Sequence, residues 1–398
     1  MERGPAARRL EAKAPDSQQA SPPTPASVGL VHDYLLVLRG AERTFCAMAS
    51  CWPGAPVYTL LFDPAPFRDQ LAGRRITVSR LNRLPVDQRS FRRLLPLLPP
   101  AASRLPVARH DLVVSSSSAF AHGVRPAPGA VQVCYCHSPF RYAWHERDRA
   151  LEEVPAPLRR PLSASLSAVR RWDVRASERV THYIANSEVT RRRIADFYGR
   201  DATVIHPPVD VHRFAPAEPE DFFVVLTELV VHKRVQVALE AVERAGARVK
   251  VVGGGPELDR LRARFGSHAE FLGRLGDREL ESLLPRARAL LMPAVEEFGI
   301  AAVEAQAAGR PVVAADAGGA QETVVPGETG VLVEPGDADA MAEAIRHTDF
   351  DRFSPDRAVE NARRFDVARF RERLRAEVER VYPAAREKRA IASSYARM

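Results

Sequence analysis

The sequence has no long hydrophobic run. In 398 residues, no apolar stretch approaches the roughly 20 residues that a helix needs to cross a bilayer. Residues 1–27 also lack the apolar segment of a secretory signal, and their composition, with Pro, Ser, Gln and Ala, is typical of a disordered tail. We therefore expect a protein that is made and stays in the cytoplasm, with an unstructured tail over residues 1–27.

Cysteine and aromatic residues are scarce as well. The chain has four cysteines, and Cys134 and Cys136 alternate on a predicted strand with His137 directly after them. No second pair of ligands lies nearby to complete a zinc site, so we interpret them as buried free thiols and predict no metal. Aromatic residues make up 7% of the chain and do not interleave with basic ones, so nucleic acid is not an expected partner.

Basic residues exceed acidic ones, 58 to 50, and many of the arginines lie in the first half of the chain. Over residues 156–179, arginines alternate with apolar residues at the spacing of an amphipathic helix. We favour a core helix with a solvated arginine face. The alternative is a basic helix that lies on anionic lipid, which would add a peripheral contact with the inner membrane face.

Short β-branched runs alternate with helical patterns almost from end to end. Strands are predicted over residues 29–34, 57–62, 111–116, 131–136, 180–185 and 202–206, and then over 222–227, 249–253, 289–293, 311–316 and 330–335. Runs that are apolar on both faces and separated by helices indicate parallel strands covered on both sides. The linker-like A-P-A-E-P-E at 215–220 divides them, so the sequence predicts an α/β fold of two Rossmann-like domains, 28–215 and 216–365, that face a common cleft.

The stretch V-E-E-F-G-I-A-A-V-E at 295–304 follows a predicted strand and opens a short helix near Gly299. The free backbone N–H groups and the dipole of a helix start favour a phosphate there. A lone glutamate in front of it would be a cap, but Glu296 and Glu304 both reach a ligand that lies across the helix start. Carboxylates accept hydrogen bonds from the vicinal hydroxyls of sugars. A nucleotide sugar, with a ribose and a hexose flanking a diphosphate, fits this arrangement.

Two other motifs carry less information. The G-G-G at 253–255 lies between a strand and a helix but matches no phosphate-loop pattern, and a tight turn with Pro256 at the first helical position explains it. The D-A-D at 337–339 imitates a metal-binding D-x-D, but it opens a helix and is predicted to be the helix cap.

Together these stretches resemble glycosyltransferase family 4, retaining enzymes of the GT-B fold. The stretch at 295–304 looks like the E-x7-E signature of that family, and further similarity lies in V-H-D-Y-L-L-V-L-R-G-A-E-R, C-Y-C-H-S-P-F-R-Y-A-W, I-A-N-S, V-I-H-P-P-V-D-V-H-R-F, G-G-G-P-E-L and F-L-G-R-L. The pattern resembles the O-antigen mannosyltransferase-like branch, which implies a hexose, mannose above all, from a GDP- or UDP-sugar and no other cofactor. The fold also implies that C-terminal helices over 366–398 cross back onto the first domain.

The resemblance implies roles for individual residues. His137, Lys233 and Glu296 are the expected catalytic residues: the histidine and the glutamate contact the donor sugar, and the lysine lies on the diphosphate. Glu304 is expected to hold the ribose hydroxyls. The remaining donor-binding positions are Gly40 near the phosphates, Glu228 and Arg234 in the strand-end motif, Phe298, Gly299 and Ile300 at the helix start, and Gly273, Arg274 and Leu275 around the base. Taken alone, Lys233 could be a solvated residue and His137 a core histidine, but the shared pattern favours the functional interpretation.

The sequence departs from the family pattern at Glu228. The strand-end motif of the family is R-L-x-x-x-K-R, whereas this chain has E-L-V-V-H-K-R, so a carboxylate stands where an arginine would clamp the diphosphate. Two unit charges about 5 Å apart at an effective dielectric of about 20 interact by about 3 kcal/mol, so the change matters for donor binding. Three interpretations stay open. The carboxylate turns away while Arg39, Arg234 or Arg274 compensates, the donor differs, or the protein is a weakly binding partner.

The resemblance implies a transfer without a general base, because the leaving phosphate oxygen accepts the proton of the acceptor. Lys233 and the helix start at 299 would then stabilise the departing diphosphate. An epimerase or phosphorylase of the same architecture is a rival enzyme class, and a non-catalytic partner subunit is the rival outside enzymes. The acceptor stays open between a glycan, a lipid-linked sugar and a small-molecule aglycone of a natural product.

Overall fold

The computed structural model describes residues 25–85 and 90–395, without the side chains of Arg92 and of residues 388–395. Most of the predicted tail, residues 1–24, therefore lies outside the described residues. Ser27, the last residue of that predicted tail, is tied to the body of the protein: its backbone N–H and its hydroxyl each donate to Asp111 at 3.1 Å. The structured chain thus begins before residue 28.

All the predicted strands are present, and the structure adds two. The strands of the first half are β1 Val28–Leu35, β2 Val57–Phe62, β3 Ile76–Val78, β4 Leu112–Ser117, β5 Val131–Cys136, β6 His182–Ala185 and β7 Ala202–Val204. Those of the second half are β8 Phe223–Leu226, β9 Val249–Val252, β10 Ala269–Gly273, β11 Leu290–Met292, β12 Val312–Ala315 and β13 Gly330–Val333. The two additions, β3 and β10, lie at the edges of their sheets and are only partly buried.

Helices fill the connections between the strands. They are α1 Gly40–Ala49, α2 Leu98–Ala102, α3 Arg147–Glu152, α4 Ala156–Ser177, α5 Glu188–Tyr198, α6 Val235–Ala245, α7 Leu258–Phe265, α8 Asp277–Leu283, α9 Ile300–Ala307, α10 Ala320–Thr323, α11 Ala338–His347, α12 Pro355–Ala362 and α13 Val367–Tyr395. Local chemistry explains several boundaries. Ser187 and Ser354 accept backbone N–H groups at the starts of α5 and α12, and Gly199 ends α5 in the left-handed conformation.

Both sheets are built from parallel pairs. The first has the order β3-β2-β1-β4-β5-β6-β7 and the second β10-β9-β8-β11-β12-β13. In each sheet the strand order reverses once, between β1 and β4 in the first and between β8 and β11 in the second. Such a reversal opens a crevice at the carboxyl ends of the strands, where sheets of this kind bind ligands. The predicted pair of Rossmann-like sheets is confirmed.

The chain crosses between the two halves twice, and the crossings lie side by side. Val209, after β7, pairs with Asp366, just before α13, in an isolated parallel bridge. Helix α13 then returns to the first half, where Phe370, Leu374 and Tyr382 share an apolar cluster with β1, β4, β5 and α1. The end of the chain therefore completes the core of the first sheet. The exact domain limits given above stay predictions.

Helix α4 buries an apolar stripe and exposes its arginines. Leu166, Val169 and Ala176 are buried. The exposed side chains on the opposite face are those of Arg159, Arg160, Arg170, Arg171 and Arg175. The predicted core helix with an exposed arginine face is present, and the same exposed face is compatible with the alternative of a contact with anionic lipid. Within residues 25–85 and 90–395, no helix combines the length and the apolarity needed to cross a membrane.

The four cysteines carry free thiols, as the sequence predicts. Cys51, Cys134 and Cys136 are buried, whereas Cys46 is only half-buried. Burial raises the pKa of Cys46 to about 12, so this thiol stays protonated at neutral pH.

Candidate functional site

A cleft of about 580 Å³ opens between the two halves at the carboxyl ends of their strands. All of the predicted site residues except Arg234 and Gly273 line it. They are Gly40, His137, Glu228, Lys233, Arg274, Leu275, Glu296, Phe298, Gly299, Ile300 and Glu304. The fold therefore brings to one place residues that are spread over most of the chain.

Helix α9 begins at the wall of this cleft, as the sequence predicts. Gly299 precedes it in the left-handed conformation, with φ +87°, and provides no side chain to cap the first backbone N–H groups. Gly319 packs against the same turn: a Cβ at that position would lie 2.2 Å from the Cα of Phe298, so glycine is required. The free N–H groups and the positive end of the helix dipole favour an anion at this point.

Two of the predicted catalytic residues contact each other. Lys233 Nζ lies 2.7 Å from Glu296 Oε1, and the two side chains are 20% and 16% exposed. A 3-10 turn after β8, Val231–Lys233, presents the lysine, and the segment after β11 presents the glutamate. Without a donor, the charge of the lysine is thus compensated by the carboxylate. A bound diphosphate would compete with that carboxylate for the lysine.

The next residue, Glu297, joins the two halves. Its Oε1 lies 2.9 Å from Arg193 Nη1 and 3.5 Å from Arg141 Nη2, both on the first half. Burial by itself would raise the pKa of this carboxyl, but Arg141, Arg193 and Lys233 together lower it to about 2. Sequence reasoning gave Glu297 no role. Its partners lie 104 and 156 residues away, and no local pattern reveals such pairs.

Glu304, which lines the cleft, belongs to a row of alternating charges. Arg213 Nη2 donates to Glu304 Oε1 at 2.9 Å, and Asp277 accepts from both Arg213 and Arg43 at 2.9 Å. Burial raises the pKa of Glu304, and Arg213 opposes that rise. The sequence analysis did not identify Arg213, although it lies in the V-I-H-P-P-V-D-V-H-R-F stretch that carried part of the resemblance.

Glu228 has a counter-ion, as the first of the three interpretations requires. This carboxylate lines the cleft, and Arg39 Nη1 donates to its Oε2 at 2.7 Å across the two halves. Of the three arginines expected to compensate, Arg39 makes the contact. Arg234 does not reach the cleft: it has a left-handed backbone, with φ +48°, and its guanidinium lies against Gly336.

The G-G-G turn after β9 requires glycine at its first and third positions, Gly253 and Gly255, because other backbone atoms approach closely there. Gly253 has φ +141°, and a Cβ on it would lie 1.8 Å from the carbonyl oxygen of Thr227. Its N–H donates to the carbonyl of Gly273 at 2.7 Å, so Gly273 supports the turn from outside the cleft. Helix α7 begins at Leu258, so the prediction that Pro256 occupies the first helical position is wrong.

The first half contributes Gly40 and His137. Gly40 opens α1 opposite α9, and a Cβ on it would lie 2.8 Å from Ile300 Cδ1. His137 follows β5 and is 9% exposed. Burial lowers the pKa of His137 to about 3, so its ring is neutral at pH 7. Its Nε2 is hydrogen-bonded to Ser116 Oγ at 2.8 Å.

The D-A-D at 337–339 is a helix cap, as predicted. Asp337 Oδ1 accepts the backbone N–H groups of Asp339 and Ala340 at 2.8 and 3.0 Å. In the part of the chain that the structure describes, no three or more His, Cys, Asp or Glu side chains are grouped to hold a metal ion.

Two family models match the chain, one for each half. The model Glycosyltransferase Family 4 matches residues 38–213, and Glycosyl transferases group 1 matches residues 210–365. The two matches meet at residues 210–213, next to the crossing at Val209. Together they extend over residues 38–365, which contain every strand except β1 and every residue of the cleft discussed above.

Individual relatives are similar over part of their length. A GDP-mannose-dependent monoacylated alpha-(1-6)-phosphatidylinositol monomannoside mannosyltransferase of Corynebacterium glutamicum is 34% identical over 192 residues, which cover 40% of this chain and 50% of that protein. The chain thus spans about half the length of the curated relatives that it matches first.

Solved structures share the fold along nearly the whole chain. HepE of Anabaena in complex with UDP-glucose has a TM-score of 0.64 and 19% identity, covering 88% of this chain and 99% of that one. Sucrose-phosphate synthase of Thermosynechococcus elongatus has a TM-score of 0.70 and 16% identity, covering 90% and 100%.

Proposed function

This chain belongs to glycosyltransferase family 4 and has the GT-B fold, and on that premise we propose that it transfers a hexose from a nucleoside-diphosphate sugar to a hydroxyl group. One observation carries the proposal: Lys233, Glu296 and the start of α9 meet at the wall of a cleft between the two sheets. They offer a cation and free N–H groups for a diphosphate, beside a carboxylate for a sugar.

The groups of the chain act mainly through charge in this proposal. Lys233 leaves Glu296 for the diphosphate, and the start of α9 faces the phosphate oxygens. Both stabilise the negative charge that grows as the bond between the anomeric carbon and the phosphate oxygen breaks. The acceptor hydroxyl attacks that carbon from the same face and passes its proton to the departing oxygen. The anomeric configuration is therefore retained, and no separate base is required.

The donor is proposed to be a mannose-type nucleotide sugar. Glu304 would accept hydrogen bonds from the ribose hydroxyls, with Arg274 and Leu275 at the base. GDP-mannose is favoured by the mannosyltransferase-like motifs and by the GDP-mannose-dependent relatives. The complex of HepE with UDP-glucose makes UDP-sugars the second donor to test.

The acceptor is proposed to be a lipid-linked sugar of bacterial glycan or glycoconjugate synthesis. The exposed arginine face of α4 lies on the first half, opposite the donor-binding half, and it would suit an anionic membrane surface. Co-sedimentation with phosphatidylcholine vesicles, with and without phosphatidylglycerol, tests this point. Binding to the anionic vesicles alone would support it, whereas no binding to either would favour a soluble glycan or a natural-product aglycone.

Donor binding tests the central proposal. The purified protein is heated with GDP, UDP, GDP-mannose or UDP-glucose, and the slow hydrolysis of each sugar nucleotide is followed. We expect a higher Tm and hydrolysis with at least one of them. Glu304→Ala should abolish the rise in Tm, whereas Glu343→Ala, an exposed carboxylate on α11, should preserve it. No stabilisation by any nucleotide would favour a non-catalytic partner protein instead.

A further inference from the structure

A buried row of polar side chains lies behind His137 on the first-half side of the cleft. Ser116 Oγ on β4 lies between two ring nitrogens, 2.8 Å from His137 Nε2 and 3.0 Å from His32 Nδ1. On the far side, His32 Nε2 lies 3.9 Å from Glu42 Oε1 of α1. Ser116 and the two histidines are 0–9% exposed, so bulk water has little access to these hydrogen bonds.

The number of protons limits how the hydrogen bonds of this row can be directed. A serine hydroxyl has one proton, so Ser116 donates to one ring nitrogen and accepts an N–H from the other. Glu42 favours one of the two directions: its carboxylate lies 3.9 Å from His32 Nε2, beyond hydrogen-bond distance, and its negative charge attracts the ring proton to that nitrogen and leaves the lone pair on Nδ1. Ser116 therefore donates to His32 and accepts from Nε2–H of His137.

Neighbouring contacts hold Glu42 and His32 in this orientation. The second carboxylate oxygen of Glu42 accepts the backbone N–H of Arg39 at 3.0 Å, at the start of α1. The ring of His32 stacks on that of Phe45, with 4.8 Å between the ring centroids. The carboxylate and the imidazole are thus held in place by groups outside the row.

We propose that this row sets the tautomer of His137, so that its Nδ1 is left unprotonated as a hydrogen-bond acceptor at the cleft. Among the described residues, Nδ1 has no hydrogen-bond partner, and the histidine lines the cleft. Because the ring is neutral at pH 7, only one of its nitrogens carries a proton. Glu42, His32 and Ser116 are then positioning residues. If the proposed function holds, the group that donates to Nδ1 is a hydroxyl of the donor sugar.

The tautomer can be measured on the full chain without any donor, so this test is independent of the proposed function. Nitrogen-15 spectra of protein with labelled histidines show which ring nitrogen of His137 carries the proton, and His137→Gln identifies the signal. We expect Nε2–H in the unmodified protein and a mixture of tautomers in Ser116→Ala. A proton on Nδ1 in the unmodified protein, or an unchanged spectrum in Ser116→Ala, would overturn the proposal.

Enzyme kinetics then distinguish a role of Ser116 in positioning His137 from a role in packing alone. The substrate is GDP-mannose or UDP-glucose, whichever raises the Tm more. Ser116→Ala should lower kcat for hydrolysis by about tenfold, as expected for one misdirected hydrogen bond, while Kd for GDP or UDP stays the same. The matched control is Ser115→Ala: Ser115 is the preceding buried serine of β4, and its hydroxyl lies 3.5 Å from the carbonyl of Val133 and is also hydrogen-bonded to Cys134. An unchanged kcat in Ser116→Ala, or an equal loss of nucleotide binding, would contradict a positioning role.

Discussion

Removal of Arg39 tests how the cleft tolerates a carboxylate at position 228. The two side chains form an ion pair, with 2.7 Å between Arg39 Nη1 and Glu228 Oε2. In Arg39→Ala, Glu228 keeps its charge but loses its counter-ion, and it shares the cleft with Lys233 and the proposed diphosphate. We expect donor binding to weaken while the fold stays intact.

The exposure of the two side chains limits how much Arg39→Ala changes stability and donor affinity. Arg39 and Glu228 are 40% and 36% exposed, so the pair adds only about 0–1 kcal/mol to the stability of the free protein. A diphosphate about 5 Å from the uncompensated carboxylate would be repelled by about 3 kcal/mol at an effective dielectric of about 20. Solvent screening of a half-exposed group reduces that value. Donor affinity should therefore fall by about 10- to 100-fold, while the Tm changes by a few degrees at most.

Calorimetry with GDP-mannose, or with UDP-glucose if that donor raises the Tm more, measures the effect in Arg39→Ala, Glu228→Ala and the double variant. Most of the lost affinity should return in the double variant, because the repelling charge is gone. Arg346→Ala is the control, since it removes an ion-paired arginine from α11, outside the cleft. If the double variant binds no better than Arg39→Ala, the arginine contacts the donor directly and the compensation reasoning is wrong.

Denaturant unfolding checks three other positions. Glu297→Gln should lower the free energy of unfolding at pH 7 by about 2–3 kcal/mol, because the folded pKa of about 2 lies below the ordinary 4.5. The difference from the unmodified protein should shrink as the pH falls from about 4.5 to about 2, and a constant difference would refute the assignment. Gly253→Ala should cost several kcal/mol, since its Cβ would lie 1.8 Å from a carbonyl oxygen, whereas Gly254→Ala, 3.4 Å from an arginine side chain, should cost less than about 1 kcal/mol. Asp33→Asn should cost about 2–4 kcal/mol, because that buried carboxylate accepts four backbone N–H groups at 118–121; a loss below about 1 kcal/mol would contradict this.

The fold was predictable wherever one local pattern decides the structure. Apolar runs between helical segments identify central parallel strands, since these are buried on both faces. The same reasoning misses β3 and β10, which are only partly buried and in which Thr77 and Glu270 interrupt the apolar run. Gly299 was identified as the start of α9 because it separates a strand end from a helical pattern, and glycine permits the left-handed turn there.

The cleft-lining residues were predictable, but their partners were not. Glu228 pairs with Arg39, 189 residues away, and Glu304 pairs with Arg213, 91 residues away. The first of these pairs depends on the position of one half relative to the other, which no motif within either half encodes. The sequence alone therefore gave the carboxylate at 228 no partner, whereas in the structure Arg39, directly before α1, is its counter-ion.

The chain crosses between the two halves at Val209 and Asp366, which are adjacent, so residues 210–365 form a segment that could be exchanged as a unit. Bridged residues lie only about 5 Å apart. The two ends of the segment between Val209 and Asp366 are therefore close together, as they are in a domain inserted into another domain. A chimera that replaced residues 210–365 with the equivalent stretch of another such protein would need only two junctions, both at the same spot. We expect the chimera to have the sugar-nucleotide specificity of the protein that supplied residues 210–365 and the acceptor specificity of this chain. The two specificities could then change independently of each other.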